Sequence, residues 1–133
     1  MTRAFADTAF YIASANSDDA LHETALEASD ACDGGFLTTE YVLLELGNYF
    51  CAGNRSLFLK LLQIIEVDPD TDVVPASSNL HKEGIRLYAS RPDKSWSLTD
   101  CISFVVMRQY GLTNVLTSDR HFEQAGFRVL LYR

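Results

Sequence analysis

The sequence predicts an α/β fold, a three-layer sandwich in which helices cover a mostly parallel sheet of about five strands. Short apolar runs alternate along the chain with amphipathic segments of helical period, the pattern of successive strand–helix units. Helical segments rather than tight turns separate the runs, so crossovers are right-handed and neighbouring strands parallel. No repeat, low-complexity tract or linker interrupts the 133 residues, a length that suits one domain over 1–133.

The elements follow in order. Residues 3–6 read as a short buried strand that ends at Asp7. Ser17 and Asp18 offer an N-cap to a helix carrying Leu21, Ala25 and Ala28 on one face. Gly34 and Gly35 break the chain before a strand at Phe36 and Leu37, and Thr38 or Thr39 then caps a helix over 40–52. Leu43, Leu44, Leu46 and Phe50 are its expected core face, and Gly53-Asn54 ends it. A helix over 56–66 has Leu57, Leu61, Ile64 and Ile65 as its apolar stripe. A brief strand at Val73-Val74 precedes a helix over 79–90, closed by Arg91-Pro92. Ser97 opens the next helix, with Leu98, Ile102, Val105 and Val106 inward and Gly111 at its end. A strand at 115–117, a short helix at 119–125 and a last strand at 127–132 complete the chain.

Composition narrows the function classes. Hydrophobic residues make up 47% and charged residues 22%, ordinary for a globular protein and unlike a disordered one. The longest apolar runs, such as 104–107, fall far short of the roughly 18 residues of a membrane span. The opening residues lack the apolar stretch of a secretory signal, so a cytoplasmic protein without membrane association is expected. Cys32, Cys51 and Cys101 are odd in number, well separated and form no C-x-x-C pair, so each reads as a small buried hydrophobe. The net charge of −7 argues against a general, high-affinity binder of nucleic acid. A cluster of carboxylates around cations accounts for part of it, because bound cations reverse the local sign.

Carboxylates at strand ends and on inward helix faces are the informative acids, since sites in parallel α/β sheets form beyond the carboxyl ends of the strands. Asp7 closes the first strand and Asp119 follows Val-Leu-Thr-Ser, which puts both on one rim; either also suits a helix N-cap. Glu45 sits among leucines on a helix expected to pack on the sheet, although an outward, solvated Glu fits the same pattern. Asp100 completes Ser97-Leu-Thr-Asp, a capping-box pattern, and a carboxylate in a first helical turn can cap and bind metal at once. Together the four are hard oxygen ligands that suit Mg²⁺ or Mn²⁺ better than zinc. His22, His81 and His121 form no ligand spacing and read as surface or packing residues, and Trp96 as a core or edge aromatic.

Four segments resemble the PIN-domain family: Phe5-Ala-Asp7-Thr-Ala-Phe-Tyr-Ile, Thr38-Thr-Glu-Tyr-Val-Leu-Leu-Glu45-Leu, Trp96-Ser-Leu-Thr-Asp100-Cys-Ile-Ser-Phe and Leu116-Thr-Ser-Asp119-Arg-His-Phe. They stand in the family's order and spacing over essentially the whole chain, and the branch they resemble is the VapC-type toxins of bacterial toxin–antitoxin pairs. The resemblance implies a Mg²⁺- or Mn²⁺-dependent endoribonuclease with Asp7, Glu45, Asp100 and Asp119 as its acidic cluster. Within it, Asp7 and Asp100 are implied to be the principal metal ligands. Thr117 resembles the hydroxyl residue before the last acid, and Asp93 an additional acidic position. The implied partners are an RNA substrate, a cognate antitoxin and a second copy of the chain. Glu40 does not substitute for Glu45, because five residues turn a helix by about 500° and the two cannot share a face.

Two other classes compete. A PIN-like interaction protein would chiefly bind an antitoxin, with catalysis weak or lost. A receiver-type phosphotransfer domain expects an acidic pair directly after the first strand, and Asp18-Asp19 comes about ten residues too late.

Overall fold

The computed structural model describes residues 1–132. Its first half runs β1 (Ala4–Ala6), α1 (Thr8–Ala15), α2 (His22–Ala31), β2 (Phe36–Thr39), α3 (Glu40–Tyr49) and α4 (Arg55–Val67). Its second half runs β3 (Thr71–Val74), α5 (Ser78–Ser90), α6 (Leu98–Gln109), β4 (Asn114–Leu116), α7 (Arg120–Gln124) and β5 (Arg128–Val129). The strands form one sheet in the order β3-β2-β1-β4-β5 with every pairing parallel, and helices flank it as expected.

β1 lies at the centre, with Phe5 opposite Leu37 of β2 on one side and Val115 of β4 on the other. All three of its residues are fully buried, and the small alanines on either side of Phe5 suit a strand covered on both faces. The chain builds outward from β1 to β3, then returns through α5 and α6 to the opposite side of β1. The order therefore reverses between β1 and β4, and a crevice opens beyond the carboxyl ends of these two strands.

Local chemistry explains most boundaries. Thr39 accepts from the Val42 amide and so caps α3, while Thr38 Oγ1 donates to the Ala6 carbonyl and ties β2 to β1. Gly35 enters β2 at φ 86°, with its α-carbon against the Asp70 carbonyl, a place that only a residue without Cβ fits. α5 and α6 cross closely because Gly84 gives room to the Ile102 side chain.

Several expectations need correction. Helix α1 falls on residues assigned no helix from sequence, because its buried residues Thr8, Phe10, Tyr11 and Ala13 leave little polar contrast. α2 begins at His22 and not at Ser17 or Asp18; Asn16 and Asp19 instead accept from amides two residues ahead, in Asx turns. On α3 the core stripe is Val42, Leu46 and Phe50, and Leu44, two residues from Leu46 and so on the far side, is 65% exposed. On α4, Ile65 is buried and Ile64 exposed, since only one of two consecutive residues can face the sheet. The final strand is shorter than 127–132, although Leu130 and Leu131 still donate to the Val115 and Thr117 carbonyls. Cys51 is exposed, whereas Cys32 and Cys101 are buried as expected.

Candidate active site

The crevice between β1 and β4 collects the predicted acids. Asp7, Glu45, Asp100 and Asp119 line one open cleft of about 420 Å³, together with Thr8, His121 and neighbouring residues. Among the described residues no lysine or arginine lines it. Four elements converge there: the end of β1, the middle of α3, the first turn of α6 and the turn between β4 and α7.

Asp7 occupies the N-cap position of α1, yet its carboxylate makes no capping bond. It accepts instead from Thr117 Oγ1 at 2.9 Å, a fully buried hydroxyl just past β4. Asp7 is itself buried, and desolvation pushes its carboxyl from 3.8 up to about 7. The Thr117 bond opposes that rise, while the charges of Asp100 and Glu45 add to it. The N-cap explanation open at the sequence level therefore fails for Asp7, whose side chain faces the cleft.

Asp100 and Asp119 do cap. Asp100 completes a capping box with Ser97, in which each side chain accepts from the other's amide, and Asp119 accepts from the His121 amide at 2.9 Å. Each keeps carboxylate capacity for the cleft, since an ionised carboxylate accepts at several lone pairs. Glu45 turns inward, accepting from Thr8 Oγ1 at 2.6 Å. Glu40 lies outside the cleft lining and accepts from the Ala76 amide.

His121 is the residue the sequence did not reveal. Its Nδ1 stands 3.1 Å from Asp100 Oδ2 and 3.4 Å from Asp119 Oδ1. One ligand atom from each of Asp100, Asp119 and His121 fits within a 4.8 Å span, a grouping tight enough for a metal ion. The Asp119-Arg-His run was visible, but the contact with Asp100 spans 21 positions and has no sequence signature. Asp93, by contrast, is not among the cleft residues; its two carboxylate oxygens bind the Arg91 guanidinium, which holds its carboxyl down at about 2.

The donor set suits a hard divalent cation. Carboxylate oxygens predominate, one imidazole stands beside them, and among the described residues no lysine or arginine balances the converging negative charge. Asp7 held part-protonated near neutral pH is the expected state of a buried acid in such a cluster before a cation compensates it.

The PIN domain family profile matches residues 4–128, which span all four acids. The chain belongs to the PIN-domain family. Among curated proteins, this PIN domain is similar to the 23S rRNA-specific endonuclease VapC20 of Mycobacterium tuberculosis, 28% identical over 126 residues, covering 92% of this chain and 94% of the relative. Among solved structures it is similar to that organism's VapC20, described as a sarcin–ricin loop cleaving toxin, with TM-score 0.85, 25% identity and coverage of 93% and 95%. VapBC2 of Rickettsia felis, bound to a DNA fragment from its promoter, matches at TM-score 0.69 and 11% identity over 96% and 97% of the two chains. FitAcB of Neisseria gonorrhoeae matches at TM-score 0.69 and 17% identity over 95% of each chain. At those identities the last two bear on the fold alone.

Proposed function

We infer that the protein is a metal-dependent endoribonuclease of the VapC type, the toxin of a toxin–antitoxin pair. The observation that carries the reading is the convergence of Asp7, Glu45, Asp100 and Asp119 on one cleft at the reversal of strand order. Similarity to VapC20 over nearly the whole of both chains supports RNA as the substrate class.

In this reading Asp7 and Asp100 hold Mg²⁺ or Mn²⁺, and Glu45 and Asp119 hold a second ion or orient the attacking water. A divalent cation there supplies an acidified water and neutralises charge on the scissile phosphate. Thr117 fixes the rotamer of Asp7, and Thr8 fixes that of Glu45. The Ser97 capping box keeps Asp100 at the mouth of the cleft. His121 holds the Asp100 and Asp119 carboxylates together or joins them as a ligand. Asp93 takes no part.

A cognate antitoxin is the proposed protein partner, since a cleft rich in carboxylates, with no lysine or arginine among the described residues that line it, is complementary to a basic side chain. A homodimer is also proposed, supported by apolar side chains exposed on α3 and α4, among them Leu44, Leu59 and Ile64. Among the described residues no helix is long and apolar enough to cross a membrane, and the cytoplasm is the proposed location.

The test is incubation of purified protein with total RNA and with a 23S rRNA-derived hairpin, in Mg²⁺, Mn²⁺ or EDTA, beside Asp7→Asn. Discrete products that need metal and vanish in the variant are expected. Products that persist in EDTA or in Asp7→Asn would sink the mechanism. Absence of any cleavage by folded protein would favour the antitoxin-binding module.

A further inference from the structure

We propose that a groove beside the acidic cleft, walled by Tyr88, Arg91, Lys94 and Trp96, binds the single-stranded RNA segment adjoining the scissile phosphate. The inference rests on the nuclease reading and adds where the strand is gripped. The groove encloses about 950 Å³ and is contiguous with the cleft, because Ser95 and Ser97 line both. Strand leaving the cleft past these two serines enters it directly.

Its chemistry differs from that of the cleft. Arg91 and Lys94 line it and, among the described residues, no carboxylate does, in a chain whose net charge is −7. Lys94 makes no ion pair among the described residues. Arg91 lies over the Trp96 ring at 5.2 Å, and Trp96 is anchored by its bond to Gln124 and by edge contact with Phe104. The guanidinium is thus held on a rigid platform at the groove wall. Its partner Asp93 is exposed, and a phosphate displaces such a pair at little cost. Tyr88, on the neighbouring turn of α5, is 54% exposed and offers a ring face to a base. Cations for the backbone beside an aromatic for a base are the elements of a single-strand site. Duplex would present no free base face to Tyr88, so the occupant is single-stranded.

The groove also reconciles an acidic protein with an RNA substrate. Four carboxylates receive the phosphate only with their cations, and the strand needs a local basic hold outside them.

The experiment measures binding of a fluorescein-labelled single-stranded RNA dodecamer in Mg²⁺, in an Asp7→Asn background that does not cleave. In parallel, kcat and KM for RNA cleavage are measured in the otherwise wild-type chain. Lys94→Glu and Tyr88→Ala are each expected to weaken binding roughly tenfold and to act through KM, and Lys94→Glu to lower the salt dependence by about one phosphate. Asp93→Asn, which frees Arg91, tightens binding by about threefold. Lys60→Glu, an equal charge change on α4 outside both clefts, stays within about twofold. Binding unchanged in Lys94→Glu and Tyr88→Ala overturns the groove and leaves it to a protein partner, even if the wild type cleaves RNA. An equal loss in Lys60→Glu, or no binding by the Asp7→Asn parent, also overturns it. Binding that depends on Lys94 and Tyr88 in a protein that never cleaves RNA sustains the groove and removes the nuclease reading.

Discussion

Burial raises the Asp7 carboxyl far above its ordinary range, and the consequences for stability and for metal binding have opposite signs. Its carboxyl rises from 3.8 to about 7 in the folded, metal-free protein, mainly through desolvation. The native state therefore holds a proton that the unfolded chain releases, and between pH 4 and 7 metal-free stability falls as pH rises. The cumulative loss is on the order of a few kcal/mol and is complete above pH 7. Asp7→Asn should abolish this slope and melt at least about 5 °C higher at pH 8 in EDTA, while cleavage is lost. Urea titrations from pH 4 to 8 check it; a slope unchanged in the variant would place the titration elsewhere. Divalent-cation affinity should instead increase with pH up to about 7, because Asp7 must first give up its proton. His121 gives a second prediction. His121→Ala should lower metal affinity and cleavage by roughly ten- to a hundredfold, as loss of a ligand-orienting side chain does, with little change in Tm. Calorimetric titration with Mn²⁺ measures it, and an unchanged affinity would make the imidazole a bystander. The four acids were legible because each sits in a local motif at a strand end or in a helix turn. His121 was not, because its role depends on Asp100, which only folding brings near. Asp93 resembled an additional acidic position, but Arg91, two residues away, takes both of its oxygens.

At the scale of elements, the close crossing of α5 and α6 supports the site, since α6 carries Asp100 in its first turn. A Cβ at Gly84 would overlap Ile102 Cγ1, an atom held inside the core. Alanine there gains helix propensity of up to ~1 kcal/mol but forces the helices apart, at a cost of about 1–3 kcal/mol. Gly84→Ala should therefore lower Tm by roughly 5 °C, and Ile102→Val should recover part of that loss in the double variant. Additive losses by thermal melting would show that the two residues do not share a contact. Helices with one apolar face were legible from period, as α5 was to within a residue of its start. α1 was not, because a helix buried nearly all round has no polar face to mark its period. The starts of α3 and α6 were readable from Thr39 and Ser97, whose hydroxyls satisfy amides that the helix leaves unpaired, and in the structure Ser77 does the same for α5. α2 misled because Ser17 and Asp18 resemble caps, whereas Asn16 and Asp19 turn the chain through Asx turns before the helix begins at His22.

For the whole molecule, the metal-free protein is stressed by its own site. Asp7 is raised by burial and by the charges of Asp100 and Glu45, so a cation that binds only the folded chain should stabilise it by mass action. At a hundred times its dissociation constant the gain is about 2.7 kcal/mol. Mg²⁺ or Mn²⁺ should accordingly raise Tm by several degrees in wild type, and by much less in Asp100→Asn. Equal shifts in the two proteins would place the cation outside the cleft.

The sequence alone determined the class of fold, because alternating apolar runs and amphipathic helices bury their faces in few ways. It also singled out four candidate acids, Asp7 and Asp119 after strands, Asp100 in a first helical turn and Glu45 within a helix, because the motifs around them are local and resemble those of the PIN family. The tertiary structure decided that β1 and β4 are neighbours, which no local pattern encodes since 107 residues lie between Ala6 and Asn114. That adjacency puts Asp7 beside Thr117, and the packing of α7 against α6 brings His121 to Asp100. The helix crossing set by Gly84 and the groove beside Trp96 likewise depend on packing between distant segments. Free energy of that kind is a property of the assembled core and has no counterpart in a window of sequence.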